Sequence, residues 1–273
     1  MLSIYLASIV PAVCIIVFFF FRDRFKEPPK VVFITFVLGF LFVFPLGSLN
    51  LIFDEFGYNN IASDIGFEIY MNLFRAGFHE ELYKYLILIF YCSRHTKFNE
   101  PMDAIVYGLA VSLGFSAREN IGYVMNYQEY GISFEYMAAI RLIPTVMHAV
   151  TSMIMALFLS KAIFSNQSVQ KRLILAFLIP VLFHGIYNIL ITYNFILGVI
   201  LLIMGIIYVL TLYRRVRKFQ EIKLMEPEIK YNVQGVLVLR SILVTFVSVA
   251  VIILISINIF SWLKILLFQL FFF

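Results

Sequence analysis

Long apolar runs broken by short charged turns set the rhythm of this chain. Leu2–Phe21 is 20 residues without a charge, and a bilayer-spanning helix needs about 20 mostly apolar residues. The run lacks a basic leader and a small-x-small cleavage site, so it reads as a retained first helix. Arg22, Arg24, Lys26 and Lys30 follow, with Pro28-Pro29 as a turn, and Val31–Phe53 is a second uncharged run. An acidic, polar stretch runs from Asp54 to about Asn72. Its interleaved Ile61, Ile65, Phe67 and Ile69 allow either an interfacial amphipathic helix or a plain loop. A third span, about Leu73–Tyr91, ends in the turn Cys92–Glu100, and Pro101 suits the first position of a fourth, which runs to about Val124. The fifth is about Tyr136–Ser160. Leu173–Tyr213 has no charged residue over 41 positions, too long for one crossing and right for a hairpin turning near Tyr193-Asn194. A polar loop, Arg214–Gly235, leads to an eighth span, about Val236–Phe260, and an apolar tail to Phe273.

The pattern predicts an all-α, polytopic membrane helix bundle. It would form one integral domain over 1–273, with about eight transmembrane helices and a four-helix catalytic core at about 73–193. Composition agrees. Hydrophobic residues make up 62% of the chain and charged residues 14%, with a mean hydropathy of +0.95, whereas a soluble domain carries about 25% charge. This excludes a water-soluble globular enzyme, a disordered tail and a nucleic-acid-binding module. Cys14 and Cys92 form no CxxC and no disulfide framework. The net charge of +5 is a matter of placement. With the N-terminus outside, fifteen of the 21 Lys and Arg fall in cytoplasmic loops, and the outer stretches Asp54–Asn72 and Asn126–Glu135 hold only acidic charges. The positive-inside rule selects that orientation, and Arg214–Lys218 reads as a topology anchor beside anionic lipid.

Ionisable groups in hydrocarbon cost a few kcal/mol at least, so the ones inside the spans carry the chemistry. They are His79, Glu80, Glu81 and Lys84 in the third span, Arg118 and Glu119 in the fourth, Arg141 and His148 in the fifth, and His184 in the sixth. At about 1.5 Å per residue, Glu80, Glu81, Glu119, His148 and His184 lie in the outer half of the bilayer, within roughly 10 Å of one another in depth. A shared water-filled cavity open to the outside is the economical expectation.

Three uses of such a cavity compete. The groups could be buried ion pairs that fix helix register. They could be a proton or ion relay in a transporter or binding protein, although no inverted repeat and no matched pair of broken helices is evident. They could also be an intramembrane hydrolase, in which carboxylate and imidazole activate water beside a peptide bond. Helix geometry favours the last. Lys84 sits four residues after Glu80 and three after Glu81, so it can hold one carboxylate ionised while the other points into the cavity. His79-Glu80-Glu81-Leu82-Tyr83 is not a zinc-protease HExxH, because its fifth residue is Tyr83. A metal would need ligands from separate helices, and His148, His184 and Glu119 supply a set that Zn2+ uses. Asn188, one turn after His184, could donate to an oxyanion or orient the imidazole.

These residues resemble a known family. Glu80-Glu81-x-x-Lys84 is similar to the EExxK motif of the PrsW family of intramembrane proteases. Phe115-Ser-Ala-Arg-Glu119-Asn120, preceded by Tyr107-Gly108 and Gly114, is similar to its FxxxEN segment, and His148 and His184 match its later histidines. The resemblance covers about Leu73–Tyr193. The chain is also similar to the wider group of CAAX prenyl endopeptidases and bacteriocin-processing membrane proteins, which carry EExxxR, FxxxH and HxxxN/B. His184-Gly-Ile-Tyr-Asn188 fits the last of these, while Lys84 and Glu119 place the chain on the PrsW side. The resemblance implies a multi-pass peptidase of the bacterial cytoplasmic membrane. Its partners would be single-span, anti-sigma-factor-like protein substrates, cut near the outer face, and the lipid bilayer. The expected site is Glu80 or Glu81 as general base, the other paired with Lys84, and Glu119, His148, His184 and Asn188 around them. Zn2+ and metal-free glutamate catalysis both stay open. A prenyl-protein endopeptidase would need a cavity facing the cytoplasm, against the placement of the basic loops.

Overall fold

The computed structural model describes residues 2–128, 131–165 and 168–225, so the expected eighth span and apolar tail lie outside the described residues. Among those described there are helices and no strands. The order is α1 (Leu2–Arg22), α2 (Pro29–Asn60), α3 (Asp64–Ile69), a π-helical segment (Tyr70–Phe78), α4 (His79–Phe90), α5 (Pro101–Gln128), α6 (Phe134–Ile140), α7 (Leu142–Phe164), α8 (Val169–Tyr193) and α9 (Phe195–Met225). The protein is an all-α polytopic membrane bundle. Among the described residues five stretches are long and apolar enough to cross a membrane: 5–22, 29–47, 135–164, 169–193 and 195–225. The two remaining long passes, residues 64–90 and α5, carry the charges of the candidate site.

Local sequence explains most boundaries. Pro29 and Pro101 open α2 and α5, where a missing N–H costs nothing. Ser63 caps α3 by accepting from the Gly66 amide at 3.3 Å. The charge-free run folds as α8 and α9 with Asn194 alone between them. The stretch Asp54–Asn72 is divided between elements. Its first part finishes α2, and its second part forms α3 and enters the π-helical segment. Asp54 is tolerated in a long helix because Arg75, from the following pass, grips it with two hydrogen bonds of 2.8 and 3.2 Å.

Helix α5 is the axis of the bundle. Met102, Ala104, Ile105, Tyr107, Leu109, Ala110, Val111 and Leu113 are fully enclosed, with α1, α2 and α7 packed around them. Association in lipid lacks a hydrophobic driving force and depends on close backbone approach at small residues. At the α2–α5 crossing a Cβ on Gly39 would stand 1.9 Å from the Val111 carbonyl oxygen, and one on Gly114 would stand 2.0 Å from that of Phe36. The outer faces of α1, α2 and α9 present Phe18, Phe21, Phe33, Leu51, Ile203 and Ile207, exposed apolar residues suited to lipid.

Gly114→Val should therefore separate α2 from α5 and destabilise the protein by about 1–3 kcal/mol or more. Thermal unfolding in detergent would read the loss, and a wild-type midpoint would contradict the crossing.

Candidate active site

The wide turn of the π-helical segment brings the third pass hard against α8. A Cβ on Gly77 would lie 2.9 Å from the Val181 carbonyl oxygen, and one on Gly185 would lie 2.7 Å from Leu73 Cα. These two glycines flank the polar residues and let His184 reach the Glu81 carboxylate. π-Helical turns recur at functional sites, and this one is continuous with α4, whose first residues are His79, Glu80 and Glu81.

The polar side chains form a connected network. Lys84 Nζ donates to Glu81 Oε1 at 2.8 Å and to His148 Nδ1 at 2.9 Å. Glu81 Oε1 also accepts from His184 Nδ1 at 2.9 Å. On the far side of His148, Nε2 donates to Glu119 Oε2 at 3.0 Å. These partners give His148 the neutral Nε2–H tautomer, because the Lys84 ammonium can only donate. The two histidine rings meet edge to face, with centroids 5.2 Å apart. Phe115, from the FxxxEN segment, places its ring 4.8 Å from the Lys84 ammonium. Asn120 accepts from Arg141 Nε at 2.8 Å. That contact holds the guanidinium 3.7 Å from Glu119, over the Tyr123 ring.

The two neighbouring glutamates are placed differently. Glu81 is fully buried and carries both Lys84 and His184. Glu80 lines a cavity of about 400 Å3, and its Oε2 has no hydrogen-bond partner. The approach nearest to one is His184 Nε2 at 3.8 Å. Glu119, His148, His184 and Asn188 line the same cavity. Its other walls include Asn72, Arg75, Arg141, Tyr123, Tyr187 and Thr192. All six expected site residues thus border this cavity or its buried floor. Lys84 is under the floor, and His79 turns away, its ring tilted against Phe53 with its Nδ1 at the Arg75 carbonyl. Arg75 has no role in the expected site, and Arg141 and Asn120 gain theirs only from the folded geometry. Arg141, seven residues before His148, was an available signal.

Convergent carboxylates and imidazoles at a cavity inside an apolar bundle are the groups that a membrane-embedded hydrolase would use. Residues 27–213 match the model of the PrsW family intramembrane metalloproteases. A Protease PrsW of Oceanobacillus iheyensis is 35% identical over 189 residues, covering 69% of this chain and 82% of that protein. The Protease PrsW of Bacillus subtilis is 33% identical over 194 residues (70% and 84%), and that of Clostridioides difficile is 29% identical over 220 residues (78% and 88%). No solved structure matches. The chain belongs to the PrsW family and is an intramembrane protease.

The family description implies a metal. Glu80, His148 and His184 each offer a ligand atom, all within 4.8 Å of one another, and the Glu80 oxygen is buried without a partner. One carboxylate and two imidazoles suit Zn2+, and Glu81 on His184 Nδ1 is the carboxylate–histidine support such sites use. The structure groups Glu80 with the histidines, whereas sequence reasoning chose Glu119, which stands behind His148. For His148 to be a ligand, one of its nitrogens must leave Lys84 or Glu119.

Lys84→Met strands Glu81 as a buried charge, and breaking a buried pair this way costs about 3–5 kcal/mol. The double variant Glu81→Gln/Lys84→Met should recover much of that loss. Unfolding midpoints of the two single variants, the double variant and wild type form the cycle. Additive losses would show that the pair is not coupled.

Proposed function

We propose that this protease hydrolyses a peptide bond in a single-span membrane protein near the outer face of the cytoplasmic membrane, with Glu80 as the base that activates water. The observation that carries this reading is the Glu80 carboxylate oxygen, buried, unpartnered and facing the cavity. Glu81 Oε2 is likewise buried without a partner, but Glu81 does not line the cavity, and Lys84 and His184 hold its other oxygen. A base must lie within hydrogen-bond reach of the water it deprotonates, and the cavity leaves room for a water beside Glu80. His184 Nε2, 3.8 Å from Glu80, would orient that water.

The oxyanion formed on attack needs donors fixed before the reaction. Arg141 and the amide of Asn188 border the cavity and supply them. Glu119 and Asn120 fix Arg141 and His148 in place. A metal held by Glu80, His148 and His184 would polarise the carbonyl and acidify the water. Glu80 would then be one of its ligands, and Glu119 would be the carboxylate of the cavity left free of it.

The basic loops support an outward cavity and an external N-terminus. The cavity borders the α8–α9 hairpin and the 64–78 segment, which lie at the end opposite the basic turns. An anti-sigma-factor-like substrate, with one helix and an outer domain, would present an extended segment to this mouth.

Glu80→Gln should lower cleavage of a single-span substrate by about 10²–10⁴-fold while the protein still purifies as a folded species. Single Glu81, Glu119, His148 and His184 variants should also fall. Full activity in all five would eliminate the mechanism. Metal content of purified protein, compared between wild type and His184→Gln, decides the ligand role: about one Zn2+ per chain, lost in the variant, supports it, and metal-free active protein retires it. A reporter inserted between Asn60 and Ser63 should read as external, and a cytoplasmic readout would reverse the assigned orientation.

A further inference from the structure

A second polar cluster lies at the opposite end of the bundle and takes no part in this chemistry. Asp23 and Glu27 come from the α1–α2 turn, Glu100 and Asp103 from the start of α5, and Gln220 from α9. All five are at least 97% buried. Gln220 Nε2 donates to Asp23 Oδ1 at 2.8 Å and also to Glu100 Oε1, bridging the two carboxylates. Lys223 Nζ donates to Glu100 Oε2 at 3.1 Å. Tyr107 donates to Glu27, which faces Asp103. Asp103 Oδ2 accepts the Asn99 and Glu100 amides at 2.6 and 2.7 Å.

That inventory leaves oxygens over. Asp23 Oδ2, Asp103 Oδ1 and the Gln220 carbonyl oxygen Oε1 are buried with no partner. Asp23, Glu100 and Asp103 each offer an oxygen, all within 4.8 Å of one another. In the described contacts, four carboxylates meet one ammonium. Carboxylates this close and this buried need either protons or a cation. Protons would leave donors between carboxyl groups. A cation would use the unpartnered Asp23 and Asp103 oxygens and, as its third ligand, a Glu100 oxygen in exchange for its bond to Gln220 or Lys223. Every offered ligand is oxygen, with no nitrogen or sulfur, and that set suits hard cations rather than Zn2+.

We infer that Asp23, Glu100 and Asp103 form a divalent-cation site of hard oxygen ligands, separate from the active site, that takes Mg2+, Ca2+ or Mn2+ and ties α1, α5 and α9 together at the basic-loop end. Burial pushes the pKa of Glu27 and Glu100 up, so the ion would compete with protons there.

The experiment uses full-length protein in detergent, stripped with EDTA and then given Mg2+, Ca2+ or Mn2+ alone. At saturating ion the unfolding midpoint should rise by about 5 °C. Asp23→Asn and Asp103→Asn should lose the rise, and Glu80→Gln should keep it. A wild-type midpoint that none of the three ions moves overturns the inference. So does a rise that survives in Asp23→Asn, or one that Glu80→Gln abolishes, which would place the ion at the active site. If the Asn variants do not fold, Tb3+ luminescence decides. Emission sensitised by Tyr107, displaced by Ca2+ and lost in Tyr107→Phe places the ion beside Glu27, and emission unchanged in Tyr107→Phe overturns the site. Cleavage by Glu80 is a separate measurement, so either reading can fail alone.

Discussion

A charge inside hydrocarbon has to be answered by the protein, because no water is there to do it. Lys84 meets this constraint for the whole site. Its single ammonium binds Glu81 and the lone pair of His148 while resting on the Phe115 ring. Three passes are thereby joined at one atom, α4 directly, α7 through His148 and α5 through Phe115. Glu81 adds the fourth by accepting from His184 on α8. Neutral substitutes of the same volume would pack, but they would leave two imidazoles without a fixed orientation. The ion pair therefore specifies geometry more than it stabilises the fold.

The same constraint separates the roles of adjacent glutamates. Positions 80 and 81 differ by about 100° around a helix, so one neighbour can be locked while the other faces solvent. Lys84 stands at i+3 from Glu81 and i+4 from Glu80, and either pairing was open on a bare helix. Tertiary packing resolves the choice. His184 reaches Glu81, and it does so because Gly77 and Gly185 let the π-helical segment and α8 approach to backbone contact.

Much of this was legible in the chain. A charge-free run too long for one crossing forces a hairpin, and Asn194 is its turn. Rare ionisable residues at a common depth point to one cavity, and Glu80, Glu119, His148, His184 and Asn188 do line one. Other features depend on partners far away in sequence. Asp54–Asn72 reads as a boundary because its acids look solvated, yet Arg75 lets helix α2 carry Asp54 onward to Asn60. The π-helical turn has no local signature, since its cause is the contact with α8. Asp23 and Glu27 sit among Arg22, Arg24 and Lys26, and nothing in the local sequence marks them as buried. Their burial is set by Gln220 and Tyr107, which are 197 and 80 residues away.

Helix α5 carries both clusters, with Asp103 in its first turn and Glu119 sixteen residues later, roughly 24 Å along a straight helix. The two ends treat acid differently. At the Glu119 end each carboxylate but one has a fixed cation or imidazole, and the exception faces a cavity. At the Asp103 end the unpartnered oxygens of Asp23 and Asp103 are buried in one acidic cluster. An unpaired group beside water is available for reaction, whereas unpaired groups sealed together can only gather a proton or an ion. Because α5 is enclosed from Met102 to Ala117 and held to α2 at Gly39 and Gly114, it joins the two ends as one rigid rod. Whatever neutralises the sealed cluster keeps α1 and α9 seated on that rod, and so helps hold the helices that wall the open one.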